Sequence, residues 1–370
     1  VQTVLISGAS IAGPTLAYWL HRNGFAPTIV EQAPAPRTGG QAIDVRGVAL
    51  EVVNRMGVLT DIQRARTQMR GMSMLDGHGN EIHRTEDMTV SGGRLDNDDV
   101  ELLREDLTHL LHTLTHDNVE YIFDDAITSL DEDPQGVRAT FQHGQPRTFD
   151  LVIGADGQHS NVRALTFGHE GQFHHHLGMH LGIFSTDNFL DLDNWQVWLR
   201  DGNAGYGIYP VRDNTELRVN IGFHSGPIDY DYRDIEQQKQ IITDRVADLR
   251  WETPRLVKAM WDATDFYFDS MAQIRMDTWS RGRVTLVGDA GYCASALSGQ
   301  GTSLALVGAY ILADELAKTG GDHLAAYTRY EQRMRPFVDL NQALATENPG
   351  MPASEESIEC AKTAISLGTP

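Results

Sequence analysis

The chain has 370 residues, enough for two domains or for one large domain carrying an insertion. Hydrophobic residues make up 41% and charged residues 22%, the balance of an ordinary globular protein rather than a disordered or fibrous one. Against 51 Asp and Glu stand only 30 Lys and Arg, a formal net charge of -21 that argues against nucleic acid or an anionic membrane as a general partner. The two cysteines, Cys293 and Cys360, fit reduced thiols in a cytoplasmic enzyme. The N-terminal apolar run is too short and too Gly-rich for a signal peptide, and the apolar stretch Thr302 to Ala317 is shorter than a membrane span.

Val4 to Ser7 predicts a strand, Pro14 to Asn23 a helix with Gly24 just past its end, and Pro27 to Glu31 a second strand. This βαβ unit of about thirty residues has the size of a dinucleotide-binding fold. Helices are expected over Val48 to Met56 and Val100 to Thr115, the latter from leucines at helical spacing. Strands are expected over Tyr121 to Leu130, Val137 to Phe141 and Asp150 to Ile153. From Phe173 to Val219, alternating stretches such as WQVWLR and YGIYPV predict antiparallel sheet. Then follow a helical region from Asp234 to Trp251, a strand, glycine turn and helix from Val284 to Leu316, and a polar helix from His323 to about Leu340. The tail beyond Pro349 reads as helix or loop. The fold class is therefore α/β, a Rossmann-like domain in separated pieces with an inserted antiparallel-sheet domain and a C-terminal helix.

The first turn reads Gly8-Ala9-Ser10-Ile11-Ala12-Gly13, a G-x-G-x-x-G loop with Ser10 in place of the middle glycine. Gly8 permits the tight turn, Gly13 permits close packing of helix on strand, and a small Ser10 still lets a pyrophosphate approach the backbone. The following helix points free N–H groups at the anion. Glu31 lies eighteen positions after Gly13, at the end of the next strand, where an acid accepts hydrogen bonds from ribose hydroxyls. It would repel a 2′-phosphate, so the bound nucleotide is NAD or FAD rather than NADP.

Two later strand-to-turn junctions, Asp150 to Arg163 and Arg283 to Leu306, carry Gly-Ala-Asp-Gly, Gly288-Asp289 and Ser298-Gly299-Gln300-Gly301. A simple NAD dehydrogenase has no use for them, whereas a cofactor with a ribityl chain and a bulky ring does. With these residues in view, the sequence resembles the class A flavoprotein monooxygenases of the para-hydroxybenzoate hydroxylase fold, and is similar to their small tetracycline-inactivating members. Their signatures match Gly8 to Gly13 with Glu31, Asp156-Gly157, and Gly288-Asp289. The resemblance implies an FAD-binding domain in segments 1–70, 98–170 and 272–322, a substrate domain in 71–97 and 171–271, and a helical segment 323–370.

It also implies roles. Glu31 and Gln32 would meet the adenosine ribose, with Arg37 flanking the adenine half. Arg104 would reach the phosphate–ribityl region, and Asp289 the ribityl hydroxyls. Gly299, Gly301 and Thr302 would place backbone N–H groups at the pyrimidine edge, with Asp44 and Arg46 near the ring. Asp156 and Arg163 match the central motif. Arg104 is alternatively a solvated helix residue, and Asp44 and Arg46 alternatively pair with each other. Many relatives carry His and Pro where this chain has Tyr292 and Ala296, which leaves the geometry of the loop facing the substrate open. Packing suits Cys293 better than redox chemistry, since it has no partner at CxxC spacing. The histidines His174, His175, His176 and His180 have no companion ligands at metal spacing, so no metal is expected.

The implied reaction is hydroxylation of an aromatic or polyketide-like molecule. NADPH or NADH reduces FAD, O2 adds at flavin C4a, and the hydroperoxide transfers an oxygen atom, so no acid–base catalytic residue is assigned. Expected pocket walls are Trp198, Tyr206, Tyr209, Pro210 and Phe223; Trp195 and Trp198 cannot share a strand face. A reductase of the same fold and a non-catalytic flavoprotein are the alternatives, and WQVWLR has the wrong spacing for a halogenase signature. The partners are a small-molecule substrate and O2, with a monomer or homodimer expected.

Overall fold

The computed structural model describes residues 1–348 and 352–368. Its centre is a six-stranded sheet in the order Ser280–Arg281, Val284–Leu286, Leu151–Gly154, Thr3–Ser7, Ala26–Glu31, Glu120–Phe123. All neighbours are parallel except the first pair. The inner strands Thr3–Ser7, Leu151–Gly154 and Val284–Leu286 are short runs rich in Val, Ile and Leu, buried because helices cover the sheet. The helix Gly301–Lys318 is buried along most of its length and packs against Ala12–Arg22, so its apolar sequence is that of a core helix. No described helix is long and apolar enough to cross a membrane.

A second, seven-stranded sheet runs Tyr267–Ile274, His174–Asp187, Glu216–His224, Ala204–Val211, Gln196–Asp201, Met72–Leu75, Glu81–Thr85. It is antiparallel apart from the pairing of Gln196–Asp201 with Met72–Leu75. Alternation splits its side chains between two faces. On one face Tyr206, Ile208, Leu217, Val219, Ile221 and Phe223 form a core with Ile242, Leu256 and Met260 of the helices Ile235–Arg245 and Thr253–Asp262. The other face meets the six-stranded sheet's loops. There Tyr209 Oη accepts from Ala42 N at 2.9 Å, and Arg218 Nε donates to Gly40 O at 3.0 Å.

Several elements depart from the sequence pattern. The helix expected from Val100 begins only at Arg104, because Val100–Leu103 pairs as a strand with Ala42–Val45. The strand expected over Tyr121 to Leu130 is two strands, separated at Asp124, whose φ is 57°. The region from Asp234 to Trp251 holds the helix Ile235–Arg245, and a second helix begins at Thr253 with Pro254 in its first turn. The polar helix runs from His323 through to Glu347. In the tail, Glu355–Lys362 is helical, while residues 349–351 lie outside the described set. This last helix is fastened by Lys362 Nζ, 2.8 Å from Asp99 Oδ2, with both side chains buried.

Candidate active site

The three glycine turns, far apart in sequence, meet at one edge of the parallel sheet. Gly8 has φ 107°, and a Cβ there would strike the Ala155 carbonyl of the central turn. Ala155 N donates to Ser7 O at 2.8 Å. A Cβ on Gly288 would stand 3.3 Å from Ala12 Cβ and 3.5 Å from Ala305 Cβ, so the late turn lies against the starts of two helices. Neither of those helices, Ala12–Arg22 and Gly301–Lys318, has a side-chain cap, which leaves first-turn N–H groups available to an anion. Ligands of open α/β sheets bind at this carboxyl end of the strands. Ser10, at the tip of the first turn, is half-buried, and Gly13 packs under Gly8 so closely that a Cβ would overlap the Gly8 carbonyl.

Glu31 sits under the first turn, its carboxylate accepting from Ala9 N and Ala33 N at 2.9 Å each, with Arg37 Nη2 at 3.6 Å. Gln32 and Arg37 line a cavity of about 420 Å³ together with Ala33, Asp124, Gln142 and His143. Arg104 is not a solvated helix residue. Its guanidinium lies across Gly40, donating from Nη2 to Gly39 O at 2.9 Å, and burial lowers its pKa.

Asp156 and Arg163 are braces between turns. Asp156 accepts from Ser160 Oγ at 2.5 Å, Val162 N at 3.1 Å and Ser7 Oγ at 3.3 Å. Arg163 is fully buried and donates to Ala290 O at 2.9 Å, tying the central turn to the backbone beside Asp289. Burial raises the pKa of Asp289 and pushes the neighbouring Cys293 thiol well above the ordinary thiol range, so Cys293 is no thiolate.

Asp44 and Arg46 do pair, Oδ2 to Nη2 at 2.9 Å, yet the pair is incompletely satisfied. Asp44 Oδ1, Arg46 Nε, Glu101 Oε2 and both polar atoms of the fully buried Gln300 have no hydrogen-bond partner. These residues adjoin one another. Glu101 stands opposite Asp44 in the strand pair, and a Cβ on Gly299, which is left-handed at φ 66°, would lie 3.4 Å from Arg46 Nη1. Burial, with Glu101 adding and Arg46 opposing, raises Asp44 to about 7. An unpartnered buried polar group costs about 1–3 kcal/mol, so such a concentration marks a place built to meet the polar edge of a ligand. The alternating donors and acceptors of a flavin pyrimidine edge fit this donor set, and Gly301 and Thr302 open the adjoining helix. Glu101 and Gln300 were not singled out from sequence; the only hint of Glu101 is an acid inside the apolar run VELL.

The facing sheet supplies the opposite wall. Strand registers place Trp198, Gly207, Asn220, Ile183 and Tyr267 in one row across five strands. The indole of Trp198 covers Gly207, where a Cβ would come within 2.5 Å of the ring. Asn220 Oδ1 is another buried atom without a partner. Tyr209 belongs to this face, whereas Tyr206 and Phe223 point into the core behind the sheet, and Pro210 alternates to their side. Tyr206 Oη is bonded to Thr253 Oγ1 at 2.9 Å. Trp195 also packs behind the sheet. His180 stacks on Phe223 and Phe268, and burial lowers it to about 4.

A nucleotide fold whose cradle ends in a flavin-shaped polar edge and is roofed by a second sheet defines a flavoprotein of the two-layer hydroxylase type. A family model described as FAD binding domain matches residues 2–341. The chain is 39% identical to a flavin-dependent monooxygenase of Legionella longbeachae, covering 92% of this chain and 86% of the relative. It is 50% identical to a protein of Mycobacterium tuberculosis named Uncharacterized protein Rv1260, over 97% of each. The solved structure of tetracycline destructase Tet(51) superposes with TM-score 0.90 at 34% identity, over 100% of both chains. The protein belongs to the FAD-binding-domain family of flavin-dependent monooxygenases and is an FAD-dependent monooxygenase of the class A type.

Proposed function

We propose that the protein uses NAD(P)H and O2 to insert one oxygen atom into an aromatic or polyketide-like small molecule, with tetracycline-type scaffolds the first to try. The observation that carries the reading is the unpartnered Asp44, Arg46, Glu101 and Gln300 cluster together with its link to the sheet: Ser91 O accepts from Arg46 Nη2 at 3.3 Å, Ser91 Oγ accepts from Gln196 Nε2 at 2.5 Å, and Gln196 Oε1 accepts from Trp198 Nε1 at 3.0 Å. One side suits a flavin's polar edge, and the other offers a flat aromatic surface with sparse polar groups, the composition of a small-molecule site. The whole-chain likeness to Tet(51) supports the scaffold class.

Bound FAD would supply hydride acceptance and dioxygen activation. The chain's own part is to bind and orient. Glu31, Gln32 and Arg37 would hold the adenosine half. The Ser10, Ala12 and Gly13 backbone would take the pyrophosphate, Arg104 and Asp289 the ribityl chain, and Gly299 to Thr302 the ring edge, where the helix N-terminus would favour negative charge. Segments 71–97 and 171–271 would cover the substrate and exclude water, the sheet-side contacts falling to Trp198 and Tyr209 rather than to the rear-facing Tyr206, Pro210 and Phe223.

The test is NADPH and NADH oxidation by the FAD-loaded protein across aromatic and tetracycline-type compounds, followed by product mass. Stimulated oxidation with a gain of one oxygen atom is expected. Oxidation without oxygen incorporation would favour a reductase, and no stimulation by any compound would overturn the reading.

A further inference from the structure

A chain of ionisable groups that no cofactor role explains connects the central turn to the roof of the site. Tyr267 Oη donates to Asp269 Oδ2 at 2.8 Å, and the same oxygen accepts from His159 Nε2 at 2.8 Å. His159 Nδ1 meets Glu170 Oε1 at 2.8 Å, and Glu170 Oε2 accepts from Arg163 at 2.8 Å. With a carboxylate at each ring nitrogen, His159 carries both protons, and the hydrogen bonds to Asp269 and Glu170 raise it to about 10. His174, stacked on His159 with ring centres 6.2 Å apart, has its pKa lowered by burial and adds no competing positive charge at neutral pH. Burial works against ionising Asp269, but His159 outweighs it and holds the carboxyl below its usual range.

Asp269 is therefore an anion that can only accept, and the proton of Tyr267 is committed to it. What Tyr267 offers in any other direction is lone pairs. That direction is the cleft. Tyr267 shares the cross-strand row of Asn220 and Trp198, on the same sheet face from which Tyr209 and Arg218 reach Ala42 and Gly40 of the cofactor-side segment. Its side chain is half accessible, so a ligand can reach it.

We propose that Tyr267 is a substrate-binding residue that accepts a hydrogen bond from a phenol, enol or amide N–H of the substrate, with Asp269 and His159 positioning it and fixing its polarity. The proposal deepens the monooxygenase reading, which supplies the direction of substrate approach. A substrate presenting an ether at that point forfeits the bond.

The test uses the FAD-loaded protein and a matched pair of probes, 2-naphthol and 2-methoxynaphthalene, read by perturbation of the bound flavin's absorbance without turnover. The wild type is expected to prefer the naphthol by on the order of tenfold, the worth of one neutral hydrogen bond. Tyr267→Phe should bring that ratio close to unity by weakening the naphthol alone, while nuclear magnetic resonance shows His159 still doubly protonated at pH 8. Asp269→Asn should reduce the preference and lower the His159 pKa. An unchanged ratio in Tyr267→Phe overturns the proposal, as does a wild type that binds both probes equally or neither. Persisting discrimination without oxygenated product from any compound would instead sink the monooxygenase reading and leave this one standing.

Discussion

The C-terminal helix is fastened beside the Arg46 segment by a buried ion pair. Lys362 Nζ lies 2.8 Å from Asp99 Oδ2, with side chains 8% and 7% exposed. Asp99 Oδ1 accepts from Gly47 N at 3.0 Å, and Gly47 directly follows Arg46. Removing one partner of a buried pair costs about 3–5 kcal/mol, because the other charge is stranded. Since Asp99 keeps its Gly47 contact, Lys362→Met is expected at the lower end, about 3 kcal/mol. For a chain of this size that is a fall in melting temperature of roughly 3–6 °C. Asp99→Asn strands Lys362 less severely, as Glu359 stays 2.6 Å away at the surface. The double variant should then lose less than the sum of the singles, by about 1 kcal/mol or more. Calorimetry of the three variants, with FAD affinity measured by flavin fluorescence, tests this. Loosening Gly47 should weaken FAD binding in step with stability. Strictly additive losses, or undiminished FAD affinity in a destabilised Lys362→Met, would refute the coupling.

The His159 bridge has a pH signature. Its native pKa is raised to about 10 from an ordinary 6.5, so its stabilisation is fully present below about pH 6.5 and is lost as pH rises through about 10. A melting-temperature profile should decline over that interval, and His159→Gln should flatten it. Arg104→Ala removes the guanidinium laid across Gly40 and should weaken FAD binding by roughly tenfold or more with little change in apoprotein melting, measured by flavin fluorescence titration. Gly207→Ala drives a methyl into the Trp198 indole and should shift tryptophan emission and raise substrate KM while FAD affinity stays at the wild-type level.

Where sequence sufficed, the information was local. The strand, turn, helix and acid from Val4 to Glu31 are contiguous, and the later turns repeat the same chemistry, so the α/β class and the flavin family could be read directly. Where it fell short, the deciding partner was distant. VELL is as good a helix start as a strand until Ala42–Val45 pairs with it. Alternation says that Tyr206 and Tyr209 face opposite ways but not which way is inward; the helices Ile235–Arg245 and Thr253–Asp262 decide that. Asp44 and Arg46 pair with each other and also leave atoms unpartnered, which no spacing rule separates. His159 and Asp269, 110 positions apart, show no shared pattern at all.

The meeting of the Gly8, Ala155 and Gly288 turns bears on how the molecule is made. The strand beginning at Thr3 is flanked by one ending at Glu31 and one ending at Gly154, and the latter awaits a neighbour at Val284–Leu286. A ribosome must therefore release most of the polypeptide before the pigment has anywhere complete to lodge, and such distant pairings form slowly. Coenzyme capture would be a late event in biogenesis, and fragments ending ahead of Gly288 should emerge from expression without colour.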